Sequence, residues 1–156
     1  MRTTTEGQAL IKSFESCSLT AYRDQGGRWT LGWGRARGIG AGDTCTQDQA
    51  DAWFLEDLAE FEMLVQNCVP GDTMGPNQFS AITCFTYNVG LGQKGVKDGF
   101  YVLANGEPST IRTCILAEDY PAAAVEFPKW NHVGGMVSAG LIRRRAAEQA
   151  LFLKEG

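Results

Sequence analysis

The chain has 156 residues, 44% of them hydrophobic and 21% charged, with a formal net charge of −4. That length fits one domain able to bury about 70% of its unfolded surface, so neither disulfides nor metals are needed to hold a core. The negative charge argues against a general nucleic-acid binder, no apolar run approaches the ~20 residues of a membrane span, and the opening MRTTTEGQALIKSFE lacks the uninterrupted apolar stretch of a signal peptide.

The first predicted element is a helix from about Thr5 to Phe14. A capping box is expected from Thr3 with Glu6 or from Thr5 with Gln8. Leu10, Ile11 and Phe14 form its apolar stripe, which places Glu15 at the C-terminal end. From 19 to 42 the pattern changes. LTAYR and RWTLGWG are aromatic and β-branched and are separated by DQGG, which reads as a hairpin turn. Trp29, Leu31 and Trp33 alternate with Thr30, Gly32 and Gly34, so one face is expected to pack and the other to carry a hydroxyl beside bare backbone. Glycine in a strand often marks the close approach of a ligand. RGIGAG, 37–42, is expected to add a third, irregular strand.

Thr46 and Gln49 open a long helix over 46–67, with Ala50, Phe54, Leu58, Phe61 and Val65 on one face. CVPGDTMGP breaks it. Pro76 begins the next helix, lined by Phe79, Ile82, Phe85 and Val89 and ended by Gly90. Further helices are predicted over 109–118, 120–127 and 140–154. The expected fold class is α+β, mainly α. A small β-hairpin sheet belongs to an N-terminal lobe over about 15–60. A helical C-terminal lobe covers about 70–156 and takes in the first helix. Together they form a single domain over 1–156, and a monomer is expected.

The cysteines are Cys17, Cys45, Cys68, Cys84 and Cys114, an odd number. There is no C-x-x-C, and His132 is the only histidine, so no metal site and no cofactor are expected. A Cys45–Cys68 disulfide is excluded, because the intervening helix would hold the two about 33 Å apart. All five thiols are expected to be free.

Cleaving a glycosidic bond needs a protonated carboxyl on one side of the bond. It also needs help for a water, or a nucleophile, on the other. Glu15 on a helix end and Asp24 with Thr30 on a facing ribbon fit that need. A threonine is no base, but its hydroxyl can orient a water against Asp24. A helix-end Glu and a turn Asp are each commonplace, so spacing alone is a weak signal. Between Arg23 and Arg37, Arg23, Arg28, Arg35 and Arg37 face Asp24 alone, a local charge of +3. This suits either a solvated ribbon or attraction of a polyanion.

FESCSLTAYRDQGGRWTLGWG resembles the signature of the phage-type lysozymes, glycoside hydrolase family 24. The likeness continues through QADAWFLEDLAEFE, NQFSAITCFTYNVG and GLIRRRAAEQALF. It implies a two-lobed lysozyme fold and a muramidase. The substrate implied is the peptidoglycan glycan strand, at the β-1,4 bond from N-acetylmuramic acid to N-acetylglucosamine. Glu15 is then the general acid, and Asp24 and Thr30 govern the water, with inversion at the anomeric carbon. Gly32, Gly34, Arg35 and Asn88 are expected to meet substrate. Arg144 is expected to approach Glu15; pairing with Glu148 is the equally simple reading of its position. Arg35 stands where the family usually has His, and 92–114 matches the family poorly. A lytic transglycosylase and a non-catalytic wall-binding module are the alternatives. A lysin made in a host cytoplasm without a signal peptide would need a separate pore former, such as a holin, to reach the wall.

Overall fold

The computed structural model describes all residues except Gln25, Asp72 and Gly156. Among them are six α-helices and two two-stranded antiparallel sheets. In chain order these are α1 (Thr5–Phe14), β1 (Ser18–Arg23), β2 (Trp29–Gly32), α2 (Gln47–Cys68), α3 (Pro76–Val89), α4 (Thr110–Leu116), α5 (Tyr120–Ala124), a 3-10 turn (Phe127–Lys129), β3 (His132–Val133), β4 (Met136–Val137) and α6 (Ala139–Leu153). Internal contacts divide the chain into two compact units. One joins Met1–Leu10 to Phe61–Gly156 and the other is Ile11–Glu60. No helix among the described residues is long and apolar enough to cross a membrane.

The larger unit is built on α3. Pro76 sits in its first turn, where the missing N–H costs nothing, and Gln78 Oε1 accepts from the Gly75 N–H at 2.8 Å. Phe79, Ile82 and Phe85 are buried on the predicted face. Phe85 meets Phe100, Phe127 and Trp130 edge-on at 5.2–6.4 Å between ring centroids. This is the favoured aromatic geometry, and burying one such ring contributes about 1.5–3 kcal/mol. α6 packs on α3 and starts at Ser138, whose hydroxyl accepts from the Leu141 N–H at 3.3 Å.

The chain's first residues are part of this unit. The Thr3 N–H donates to Glu62 Oε1 at 2.7 Å, and Arg2 pairs with the same carboxylate at 2.8 Å. The helix cap differs from both predicted boxes. Thr4 is the cap, its Oγ1 accepting from the Gly7 N–H at 3.1 Å, and the Thr3 N–H that a box from Thr3 would offer to Glu6 goes to Glu62.

In the smaller unit β1 pairs with β2 in the register Tyr22 opposite Thr30 and Arg23 opposite Trp29. A bulge lies between Ser18 and Tyr22. RGIGAG does not form the third strand expected of it. Gly38 and Gly42 take left-handed φ of 72° and 82°, which breaks an extended run into turns. The pairing falls just beyond, where Thr44 bridges Thr20 and the Cys45 N–H donates to Leu19 O at 3.1 Å. The alternation through Trp33 also stops early. The chain reverses after Gly32, so that Leu31 and Arg35 exchange backbone hydrogen bonds at 2.9 and 3.0 Å. Thr46 caps α2 through its Oγ1, which accepts from the Gln49 N–H at 3.1 Å.

All five cysteines are free, as expected. Burial pushes the Cys84 thiol well above its ordinary value, so it is inert at neutral pH.

Candidate active site

Glu15, Asp24, Thr30, Gly32, Gly34 and Arg35 all belong to the Ile11–Glu60 unit. The Glu15 N–H closes the last turn of α1 on Ile11 O at 3.1 Å. This fixes where its side chain leaves the helix, and the residue is half-buried.

Asp24 begins the turn between β1 and β2; Gln25, within the predicted DQGG turn, lies outside the described residues. Asp24 O accepts from the Gly27 N–H at 2.9 Å. The carboxylate is held by Arg28. Its Oδ1 accepts from the Arg28 N–H at 2.9 Å, and its Oδ2 from Arg28 Nε at 3.1 Å with Nη2 also at 3.1 Å. The backbone bond from Arg28, joined by the guanidinium and the Gly26 N–H, holds the Asp24 carboxyl below the usual carboxylate range. Asp24 is therefore ionised at neutral pH.

Thr30 sits on β2, 3% exposed, and its hydroxyl donates to Arg28 O at 3.2 Å. The bond spends the threonine's one proton. The oxygen that remains can only accept.

Tyr22 is the member of the site that sequence reasoning missed. It lies directly opposite Thr30 and shares a face with Asp24, two residues on. Burial raises its phenol pKa first, and the charges of Glu15 and Asp24 raise it further. The signal available in sequence was period two, because Tyr22 and Asp24 fall on one side of an extended segment.

Gly32 and Arg35 are both engaged by α2. Gly32 does not offer an open face. Its φ is +62°, and a Cβ there would meet the Ala50 Cβ at 3.3 Å and the Trp53 ring at 3.8 Å. Glycine is needed at that point so that β2 can pack on α2. Arg35 is spent on α2: Nη1 reaches Glu56 Oε2 at 3.0 Å and Asp57 Oδ1 at 3.4 Å, and the guanidinium lies 5.2 Å from the Trp53 ring centroid. Arg37 pairs with Glu60 at 2.7 Å, and Arg23 stacks on Trp29 at 4.7 Å. Glu56, Asp57 and Glu60 on α2 thus offset Arg35 and Arg37, while Arg23 is held by a carbonyl and a ring rather than by an acid. Gly34 has open space on its side-chain face.

Asn88 and Arg144 belong to the other unit. Asn88 Oδ1 accepts from Arg145 Nη2 at 2.7 Å, and Asn88 lines a cavity of about 610 Å³ with Asp98, Glu126, Trp130 and His132. Arg144 Nε donates to Glu148 Oε1 at 3.1 Å, as the i,i+4 spacing suggested. Arg145 and Glu148 are both 0% exposed. Among the described residues no group of three or more His, Cys, Asp or Glu side chains is placed to hold a metal ion.

The phage lysozyme family model matches residues 12–148. The endolysin of Acyrthosiphon pisum secondary endosymbiont phage 1 is 35% identical over 156 residues, 97% of this chain and 98% of that protein. The endolysin of Bacillus phage PZA is 36% identical over 97% of this chain, which spans only 55% of that longer protein. Among solved structures, the muramidase domain of SpmX from Asticaccaulis excentricus has a TM-score of 0.81 at 30% identity, covering 99% of both chains. The active form of P1 phage endolysin Lyz has a TM-score of 0.83 at 26% identity, covering 98% of this chain and 85% of that one. The chain belongs to the phage lysozyme family and is a glycosidase of the endolysin type, which hydrolyses peptidoglycan to lyse bacteria.

Proposed function

We propose that this lysozyme cleaves the β-1,4 bond from N-acetylmuramic acid to N-acetylglucosamine with inversion of the anomeric centre. Glu15 gives its proton to the leaving oxygen as the glycosidic bond breaks. A water attacks the anomeric carbon from the opposite face and sheds its proton to Asp24 and then to solvent. The observation that carries this reading is the pair of acceptors at Asp24 and Thr30. The Thr30 hydroxyl directs its hydrogen to Arg28 O, and Asp24 is an anion. A water between them must donate both its hydrogens, which turns a lone pair outward. Asp24 is a weak base, so its main work is to orient that water and to favour the positive charge that grows on the sugar.

Gly34 and Asn88 are proposed as substrate contacts, and Arg144 as a residue that supports Glu15. The protein acts as a monomer and is delivered to the wall by a separate pore former.

The test is product analysis on purified peptidoglycan, by mass spectrometry and by the anomeric signals in the first minutes of reaction. Reducing N-acetylmuramic acid ends released first as the α-anomer are expected. Products released as the β-anomer would exclude inversion, and 1,6-anhydro sugars would mark a transglycosylase. No cleavage by the folded protein would leave a wall-binding module.

A further inference from the structure

Arg28 touches both partners of the proposed water. Its N–H and its guanidinium hold Asp24, and its carbonyl accepts from the Thr30 hydroxyl. The backbone contacts do not depend on the side chain. The guanidinium contacts do, and they are unusual in form. Nε and Nη2 both converge on Oδ2, so Arg28 grips one oxygen from two directions while its own N–H grips the other. The Arg28 and Gly26 N–H groups alone would leave the carboxylate without a cation to fix its orientation. The guanidinium on Oδ2 adds that restraint.

The grip is local to this turn. Arg23, the other arginine beside it, is engaged elsewhere. Its Nη1 donates to Gly27 O at 2.9 Å, and its guanidinium lies over Trp29. The Arg28 side chain is 75% exposed and that of Asp24 22% exposed. Arg28 therefore carries no core packing, and the contact can be removed without opening a cavity.

From this geometry we infer that Arg28 is a positioning residue of the hydrolysis, acting through Asp24. Its guanidinium holds the carboxylate in the one orientation that accepts a hydrogen from the attacking water. The inference rests on the reading of Asp24 and Thr30 given above. The charged and titratable groups around Asp24 are Arg28 in the turn, Tyr22 and Arg23 on β1, and Glu15 at the end of α1. Of these, the structure shows Arg28 bonded to the carboxylate.

The experiment compares wild type with Arg28→Met, Arg28→Lys, Asp24→Asn and the double variant Arg28→Met/Asp24→Asn. Initial rates are measured on soluble peptidoglycan fragments across pH, with a thermal melt of each protein. Arg28→Met should lower kcat about tenfold, the scale of a small misplacement of a reacting group, and leave KM within about twofold. The acid limb of its pH profile should move to higher pH, because Asp24 loses a cation that favours its ionised form. Arg28→Lys should restore part of kcat and of the pH limb. The double variant should be no slower than Asp24→Asn alone, since a positioning residue has nothing left to position.

Wild-type kcat and an unmoved acid limb in Arg28→Met, with Asp24→Asn inactive, would overturn the inference and leave the reading of Asp24 intact. So would a higher kcat in Arg28→Met, which would make the guanidinium a blocking group. So would a loss of kcat that follows a lowered melting temperature with no pH shift. Wild-type turnover in Asp24→Asn would instead overturn the reading of Asp24, and the role of Arg28 with it.

Discussion

Lys12 of α1 pairs with Asp51 of α2 at 2.6 Å, and Trp33 Nε1 donates to the same carboxylate oxygen at 2.8 Å. The Lys12 ammonium also lies 4.8 Å from the Trp33 and Phe54 ring centroids. Lys12, Trp33 and Asp51 thus tie the helix that ends at Glu15 to α2 and to the turn after β2. Asp51→Asn should lower the melting temperature at pH 7 by about 2–4 °C. The sign with pH follows from the carboxyl. Lys12 first, then Trp33 and Gln47, hold Asp51 below the usual carboxylate range. Its contribution is therefore complete above the unfolded value of about 3.9 and is lost as pH falls through the lower folded value. Melts from pH 7 down to pH 3 should show the two proteins converging only at the acid end. A constant difference at every pH would assign the effect to something other than ionisation.

Glu15→Gln should remove hydrolysis while the protein still folds. The amide keeps the shape of the carboxyl but has no proton to give, and general acid catalysis is typically worth ~10²–10⁴-fold. Turnover of peptidoglycan fragments above a tenth of the wild-type rate would exclude Glu15 as the acid. Circular dichroism and a melt of the variant serve as the folding control.

Gly32→Val should cost stability before it touches chemistry. A β-branched residue at φ +62° is strained by about 1–3 kcal/mol. Its Cβ would also press on Ala50 at 3.3 Å. Urea denaturation at pH 7 should show a lower midpoint. A variant as stable as wild type but catalytically dead would put the missing side chain on the substrate after all.

Glu148→Ala should be the most damaging of these changes. Glu148 is fully buried with Arg144 at 3.1 Å and with Arg145 Nε at 3.0 Å, the latter at ion-pair distance but outside hydrogen-bond geometry. Burial pushes the Arg145 guanidinium down to about 10, against the pull of Glu148. Removing the carboxylate leaves two buried cations facing each other. The expected loss is about 3–5 kcal/mol, a large part of a domain's stability. Denaturant titration measures it directly. A loss below about 1 kcal/mol would show that the pair is held by packing alone.

Where a local pattern decides the structure, the sequence was readable. The stripe of Leu10, Ile11 and Phe14 placed α1 and left Glu15 at its end, and Thr46 and Pro76 marked the starts of α2 and α3. The failures have one physical form, in which the partner lies far along the chain. Thr3 was read as a cap, but Glu62 takes its N–H. The arginines of the ribbon were counted without Glu56, Asp57 and Glu60, about 20 residues downstream. Gly32 looked bare because Ala50 and Trp53 are not its neighbours in sequence. The β3–β4 hairpin was missed for a different reason. Its strands are two residues each, too short for alternation to register, although Gly134 and Gly135 between Val133 and Met136 carry a hairpin-turn signal.

The segment after α3 takes its order from the main chain. Phe100 and Tyr101 donate backwards to Gly90 and Leu91 at 2.9 Å, and Gly95 and Leu103 close further backbone bonds at 2.7 and 2.8 Å. Gly92 and Gly99 cross so closely that a Cβ on Gly99 would stand 1.9 Å from the Gly92 nitrogen. Bonds of this kind read no side chain. Gln93 and Val96 can therefore be replaced at small cost, while a side chain on either crossing glycine would clash with the backbone of the other. The path of this stretch is set by its backbone, and Gly92 and Gly99 are the two positions where a side chain has no room.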